Sequence, residues 1–95
     1  MTILYVDDDA DDRDIFCDIT REIDPEIKVN IARDGFEALK ILNEGIDLPQ
    51  VVVLDMNMPG LNGFDTLREF RKNPKLKGLK VIIYSTGMRP EMRKQ

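Results

Sequence analysis

Three short stretches carry side chains that could do chemistry together: Asp7-Asp8-Asp9, Asp55 and Ser85-Thr86. Each comes directly after an apolar, β-forming run, residues 3–6, 51–54 and 81–84. In open α/β sheets, ligands bind beyond the carboxyl ends of the strands, so residues distant in sequence would converge there. Two or three carboxylates held a few ångströms apart repel and raise one another's pKa unless a cation neutralises them. Magnesium suits such a sparse acidic set better than calcium. It keeps several waters and takes one or two carboxylates together with phosphate oxygens, which implies a phosphate ligand. A carboxylate can itself be the nucleophile and form an acyl phosphate when its charge is screened from the incoming phosphoryl group. A hydroxyl such as Ser85, with nearby backbone N–H groups, could bind the phosphoryl oxygens.

Other chemistries are excluded. The chain has no histidine, so imidazole bases, histidine metal ligands and Ser-His or Cys-His pairs are absent. Cys17 is the only cysteine, too few for an internal disulfide or a multi-thiolate zinc site, and a reducing compartment is expected. Beside Phe16, it reads as a small buried filler rather than a reactive thiol. A calcium loop starting at Asp7 would need glycine at its sixth position and glutamate at its twelfth, where Asp12 and Asp18 stand. Gly60 and Gly63 read as turn formers, because glycine-rich phosphate loops have another spacing and a lysine. Asp9, Asp11, Asp12 and Asp14 read as a solvated helix start favoured by the macrodipole.

Periodicity locates the elements that must position these residues. Residues 3–6 form a buried strand, and Ile15, Phe16, Ile19 and Ile23 then recur at helical spacing until Asp24-Pro25 stops the helix. Residues 27–32 alternate like a second strand, and Asp34-Gly35 makes a turn and caps the second helix. Ala38, Leu39 and Leu42 share one face of that helix, which runs over 36–43 and ends at Gly45. The unbroken apolar run 51–54 predicts a central strand covered on both faces. After a loop with Pro59, Gly60 and Gly63, a third helix over 64–72 carries Phe64, Leu67 and Phe70 on one side and closes at Asn73-Pro74. A fourth strand over 80–84 and a helix starting in 88–95 complete a β-α-β-α-β-α-β order. This is an α/β domain with right-handed crossovers and helices on both faces. Phe16, Phe64 and Phe70 are its expected aromatic core.

With 95 residues, 42% of them hydrophobic and 34% charged, the chain is one ordinary globular domain. A net charge of −4 argues against a nucleic-acid partner. The longest apolar runs fall far short of the roughly 18 residues that span a bilayer. The first residues lack a secretory signal, so the expected location is cytoplasmic.

The order and spacing of four segments resemble the receiver domains of two-component response regulators. They are Ile3-Leu4-Tyr5-Val6-Asp7-Asp8-Asp9, Ala32-Arg33-Asp34-Gly35-Phe36-Glu37-Ala38-Leu39, Asp55-Met56-Asn57-Met58-Pro59-Gly60-Leu61-Asn62-Gly63 and Val81-Ile82-Ile83-Tyr84-Ser85-Thr86. The resemblance implies a flavodoxin-like doubly wound parallel sheet of strand order 2-1-3-4. It further implies that Asp55 takes a phosphoryl group from a phosphohistidine on a sensor kinase or phosphotransfer protein. Asp7, Asp8, Asp55 and the backbone carbonyl of Asn57 match the magnesium site, Ser85 matches the switch hydroxyl, and Thr86 would add a backbone amide. Such a domain transfers and later hydrolyses its own phosphoryl group and is not a conventional enzyme. The lysine that the family places on the loop after a fifth strand has no counterpart, and Lys94 is not assigned that role. Against the family, residues 1–95 read as one receiver domain truncated before its fifth strand and helix. The fourth strand would then be a bare edge through which two copies could pair, and a non-signalling interaction module is the alternative reading. A haloacid-dehalogenase-like phosphatase ranks low, since it expects a second acid where Asn57 stands.

Overall fold

The computed structural model describes residues 1–45 and 47–85; Thr86, Lys94 and the helix expected over 88–95 lie outside the described residues. The elements are β1 (Thr2–Val6), α1 (Ala10–Ile23), β2 (Lys28–Ala32), α2 (Gly35–Glu44), β3 (Val51–Asp55), α3 (Gly63–Phe70), a 3-10 turn (Pro74–Leu76) and β4 (Lys80–Tyr84). Each helix starts on a short polar side chain that accepts the otherwise unpaired N–H groups of the first turn. Asp9 accepts from Asp11 and Asp12, Asp34 from Glu37, and Asn62 from Asp65. Acidic Asp11 and Asp12 sit in the first turn of α1, where the helix dipole favours them. At the far end the Asp24 amide closes on the Thr20 carbonyl, and Pro25 cannot extend the ladder. Gly45 ends α2 in an extended conformation rather than a left-handed one.

The four strands form one parallel sheet in the order β2-β1-β3-β4. This is the doubly wound order 2-1-3-4, with β1 and β3 inside and β4 at an edge among the described residues. Val6 pairs with Ala32 and Leu54, and Leu54 with Ile83. The carboxyl ends of β1, β3 and β4 therefore finish level, and Asp7, Asp55 and Tyr84 each stand one residue beyond that row.

Alternation divides the sheet into two faces. Leu4, Val6, Val52 and Leu54 point to one side and pack with Ala38 and Leu42 of α2, Phe70 of α3, and Leu76 and Leu79 in and after the 3-10 turn. Tyr5, Val53 and Ile82, which pair across the sheet, point to the other side, where Phe16 of α1 stacks on Tyr5 at 4.0 Å between ring centroids.

Two expectations about side chains need correction. Phe64 is 49% exposed rather than core. The inward stripe of α3 is Gly63, Thr66 and Phe70, and Phe64 lies one residue off it. On α1, Ile15, Ile19 and Ile23 are exposed and Thr20 is buried, with Phe16 and Cys17 half-buried. The helix meets the sheet along a line rotated from its most apolar stripe.

Candidate functional site

The level ends of β1 and β3 bring Asp7, Asp8 and Asp55 together, each offering a carboxylate oxygen within 4.8 Å of the others. Asp7 and Asp55 are 0% and 2% exposed, whereas Asp8 is open to solvent. Burial of two carboxylates is a result of the pleat. Both share the parity of Tyr5 and Val53, and this side of the sheet also receives the start of α1. Arg13, in the first turns of that helix, donates from Nη1 to the Asp7 backbone carbonyl at 2.8 Å. The Asp7 amide donates to the Ala32 carbonyl on β2 at 3.1 Å, so its main chain is fixed on both sides.

The Asp7 carboxylate is engaged at both oxygens. Its Oδ1 accepts the Asp9 amide at 2.9 Å. Its Oδ2 accepts two phenolic hydroxyls, from Tyr84 at 2.8 Å and from Tyr5 at 3.1 Å. Burial first, and then the negative charge of Asp7, push the Tyr5 hydroxyl pKa up to about 12 against a lowering by its Tyr84 partner. The Tyr84 hydroxyl is also pushed up, by burial first and then by the adjoining Tyr5 hydroxyl and the Asp7 carboxylate. Both remain protonated donors at neutral pH. Asp8 sits above the ordinary carboxylate value, first through partial loss of water and then through the charges of Asp7 and Asp55, while a backbone hydrogen bond opposes the rise.

Asp55 ends β3 and is held by the loop that it starts. The Asn57 amide donates to Asp55 Oδ1 at 3.0 Å, and Asn57 Nδ2 donates to Ser85 Oγ at 3.1 Å, joining the loop after β3 to the residue after β4. The Met56 amide donates to the Tyr84 carbonyl at 2.7 Å, and the Gly63 amide returns to the Met56 carbonyl at 3.2 Å. Two glycines make this loop possible. Gly60 has φ +78°, a region that side chains rarely adopt. At Gly63 a Cβ would stand 2.8 Å from the Asp55 carbonyl oxygen, so its role is close approach rather than turning.

The structure thus brings Asp7, Asp8, Asp55, Asn57 and Ser85 to one end of the sheet, and Thr86 lies outside the described residues. An all-oxygen set of two buried carboxylates and a third beside them, raised above its usual pKa by loss of water and then by their charges, fits a hard divalent cation. Sequence reasoning missed Tyr5 and Tyr84, which read there as apolar strand formers. The Tyr5-x-Asp7 spacing was the available signal, since residues two apart on a strand share a face. Cys17 is half-buried with its thiol pKa raised by loss of water, in keeping with a filler.

A family model described as "Response regulator receiver domain" matches residues 3–95. Chemotaxis protein CheY-3 of Vibrio cholerae is 36% identical over 91 residues, which are 96% of this chain and 68% of that protein. A protein-glutamate methylesterase/protein-glutamine glutaminase of Pyrococcus horikoshii is 44% identical over 71 residues, 74% of this chain and 18% of the longer protein. Among solved structures, that of a phosphorylated cyanobacterial phytochrome response regulator, RcpA, superposes with a TM-score of 0.81 at 26% identity, covering 95% of this chain and 68% of that one.

Proposed function

The chain belongs to the response regulator receiver domain family, and from that premise we propose that Asp55 is its phospho-acceptor, taking a phosphoryl group from a phosphohistidine of a sensor kinase or phosphotransfer protein. The observation that carries this reading is the convergence of Asp55 with Asp7 and Asp8 within 4.8 Å at the level ends of β1 and β3. An Asp55 carboxylate oxygen attacks phosphorus in line, the P–N bond breaks as the P–O bond forms, and the histidine nitrogen leaves with its electron pair. The Asn57 amide on Oδ1 orients the nucleophile. Asp7, Asp8, Asp55 and the Asn57 carbonyl would hold magnesium, which when bound offsets charge on the transferring oxygens. Ser85, already reached by the Asn57 side chain, would meet a phosphoryl oxygen, and Thr86 would add its amide. Attack of water on the acyl phosphate resets the domain. The phosphorylated state named for the cyanobacterial relative supports the same chemistry here.

The reading takes residues 1–95 as one domain that acts in the cytoplasm on protein partners, without a nucleic-acid or membrane role of its own. No helix among the described residues is long and apolar enough to cross a membrane. Self-association is part of the proposal. The outer edge of β4 carries no strand among the described residues, and Ile82 beside it is 48% exposed, so a second copy pairs there. Sedimentation at high micromolar concentration is expected to show a dimer, and a purely monomeric result removes this part. The central test is incubation with acetyl phosphate and magnesium, then intact mass. One labile phosphoryl adduct that disappears in Asp55→Asn is expected; an unchanged adduct in that variant, or rapid turnover of unrelated phosphomonoesters, overturns the assignment.

A further inference from the structure

Asp7 is held at both of its carboxylate oxygens. Its Oδ2 accepts hydroxyls from two strands, Tyr5 on β1 and Tyr84 on β4, while its Oδ1 accepts the Asp9 amide. The two phenol rings stack on one another at 5.8 Å and 15°, and Tyr5 stacks in turn on Phe16 at 4.0 Å and 9°. A stacked ring cannot swing its hydroxyl away without parting from its neighbour, so both donors are fixed before any ligand arrives. Tyr84 is also held at its main chain, where its carbonyl accepts the Met56 amide of the loop that carries Asp55 and Asn57. One residue therefore touches Asp7 after β1, the acceptor loop after β3 and, through the chain, Ser85.

We propose that Tyr84, together with Tyr5, is a positioning residue: the paired hydroxyls hold the Asp7 carboxylate in the orientation that a divalent cation at Asp7, Asp8 and Asp55 requires. This rests on the magnesium reading of the acidic site. A carboxylate held at one oxygen alone can rotate about its Cβ–Cγ bond, and the cation would have to stop that rotation at the expense of its own affinity. With the hydroxyls in place the orientation is already selected. Groups that orient a metal ligand in this way typically change metal affinity by about 10–100-fold when removed. Tyr84 carries the larger share, because its bond is the shorter of the two and because it joins Asp7 to the strand that leads to Ser85.

The test is a magnesium titration of the full chain and of Tyr84→Phe, Tyr5→Phe and the double variant, each of which keeps its rings and removes only hydroxyls. Calorimetry gives the affinity. Tyrosine emission gives a second readout, since the chain's two tyrosines both touch Asp7 and it has no tryptophan. We expect saturable binding by the unaltered chain with a change in emission. We also expect affinity about tenfold weaker in Tyr84→Phe, a smaller loss in Tyr5→Phe and the largest loss in the double variant. A purely structural role would lower stability without magnesium and leave the affinity alone. A folded Tyr84→Phe, or a folded Tyr5→Phe if the first does not fold, that binds magnesium within twofold of the unaltered chain overturns the positioning role and leaves the cation site standing. Binding without any change in emission also counts against it. An unaltered chain with no saturable binding overturns the magnesium reading, and the proposal with it.

Discussion

On one face of the sheet Leu4, Val6, Val52 and Leu54 meet Phe70, Leu76 and the apolar side of α2 with no surface left exposed among these named side chains. On the opposite face Phe16 of α1 stacks on Tyr5, and Ile82 stays half exposed. The acidic site belongs to the second face. Asp7 and Asp55 continue the row of Tyr5 and Val53, and Tyr84 continues that of Ile82. A fully buried aliphatic or aromatic side chain contributes roughly 1.5–3 kcal/mol, so the first face supplies most of the stability and the second can be occupied by hydrogen-bonded polar groups. Stability and chemistry are separated across a single layer of backbone.

Substitutions can break that separation or sharpen it. The largest effect is expected from Phe70→Ala on the covered face, a loss of about 3–5 kcal/mol in urea unfolding. A loss below about 1 kcal/mol would mean that the first face is not the core. Gly63→Ala comes next, because α3 of the covered face touches the acceptor strand there. Overpacking against the Asp55 carbonyl should destabilise by about 1–3 kcal/mol, and phosphorylation by acetyl phosphate should slow as Asp55 shifts.

A smaller effect of opposite sign is expected at the site itself. The Asp8 pKa is raised in the folded chain, which therefore holds its proton more tightly than the unfolded chain does. Stability from this group is present below the ordinary aspartate value and is lost as pH rises through the raised one. At neutral pH without magnesium, Asp8→Asn should thus raise the melting temperature, by the equivalent of less than about 1 kcal/mol because solvent screens an exposed carboxylate. The same variant should bind magnesium more weakly, and the gain should vanish as the pH is lowered. Smallest of all, Ile82→Thr on the open face should change monomer stability by about 0.5 kcal/mol or less. An effect as large as that of Phe70→Ala would show that something covers this face.

The four strands and three helices were legible in the sequence because their signals are local. Apolar runs, the Asp24-Pro25 and Asn73-Pro74 stops, and capping Asp34 all act within a few residues of where they stand. The convergence of Asp7, Asp8, Asp55 and Ser85 at one end was legible too, since a parallel order sends every carboxyl end the same way. Periodicity could not say which neighbour covers a stripe. Of the row Ile15, Phe16, Ile19 and Ile23 on α1 only Phe16 turns inward, beside Cys17 and Thr20, while the three isoleucines are exposed. The 3-10 turn that buries Leu76 escaped notice because three residues are too short for a period. The bond from Tyr84 to Asp7 spans 77 residues and depends on register, which aligns Leu54 with both Val6 and Ile83 and is written in no single segment.

The strand order also decides which joins the complete site needs. β2 and β3 both pair with β1, whereas β4 pairs only with β3 among the described residues. Two acids can meet the acceptor once β1 and β3 are joined, but Ser85 and the second hydroxyl arrive only when the edge strand docks. Parallel pairing of distant segments is slow compared with local helix formation. The acidic pocket is therefore complete only when both joins are made, and a chain whose β4 is undocked would carry Asp55 beside Asp7 without the Tyr84 hydroxyl on Asp7.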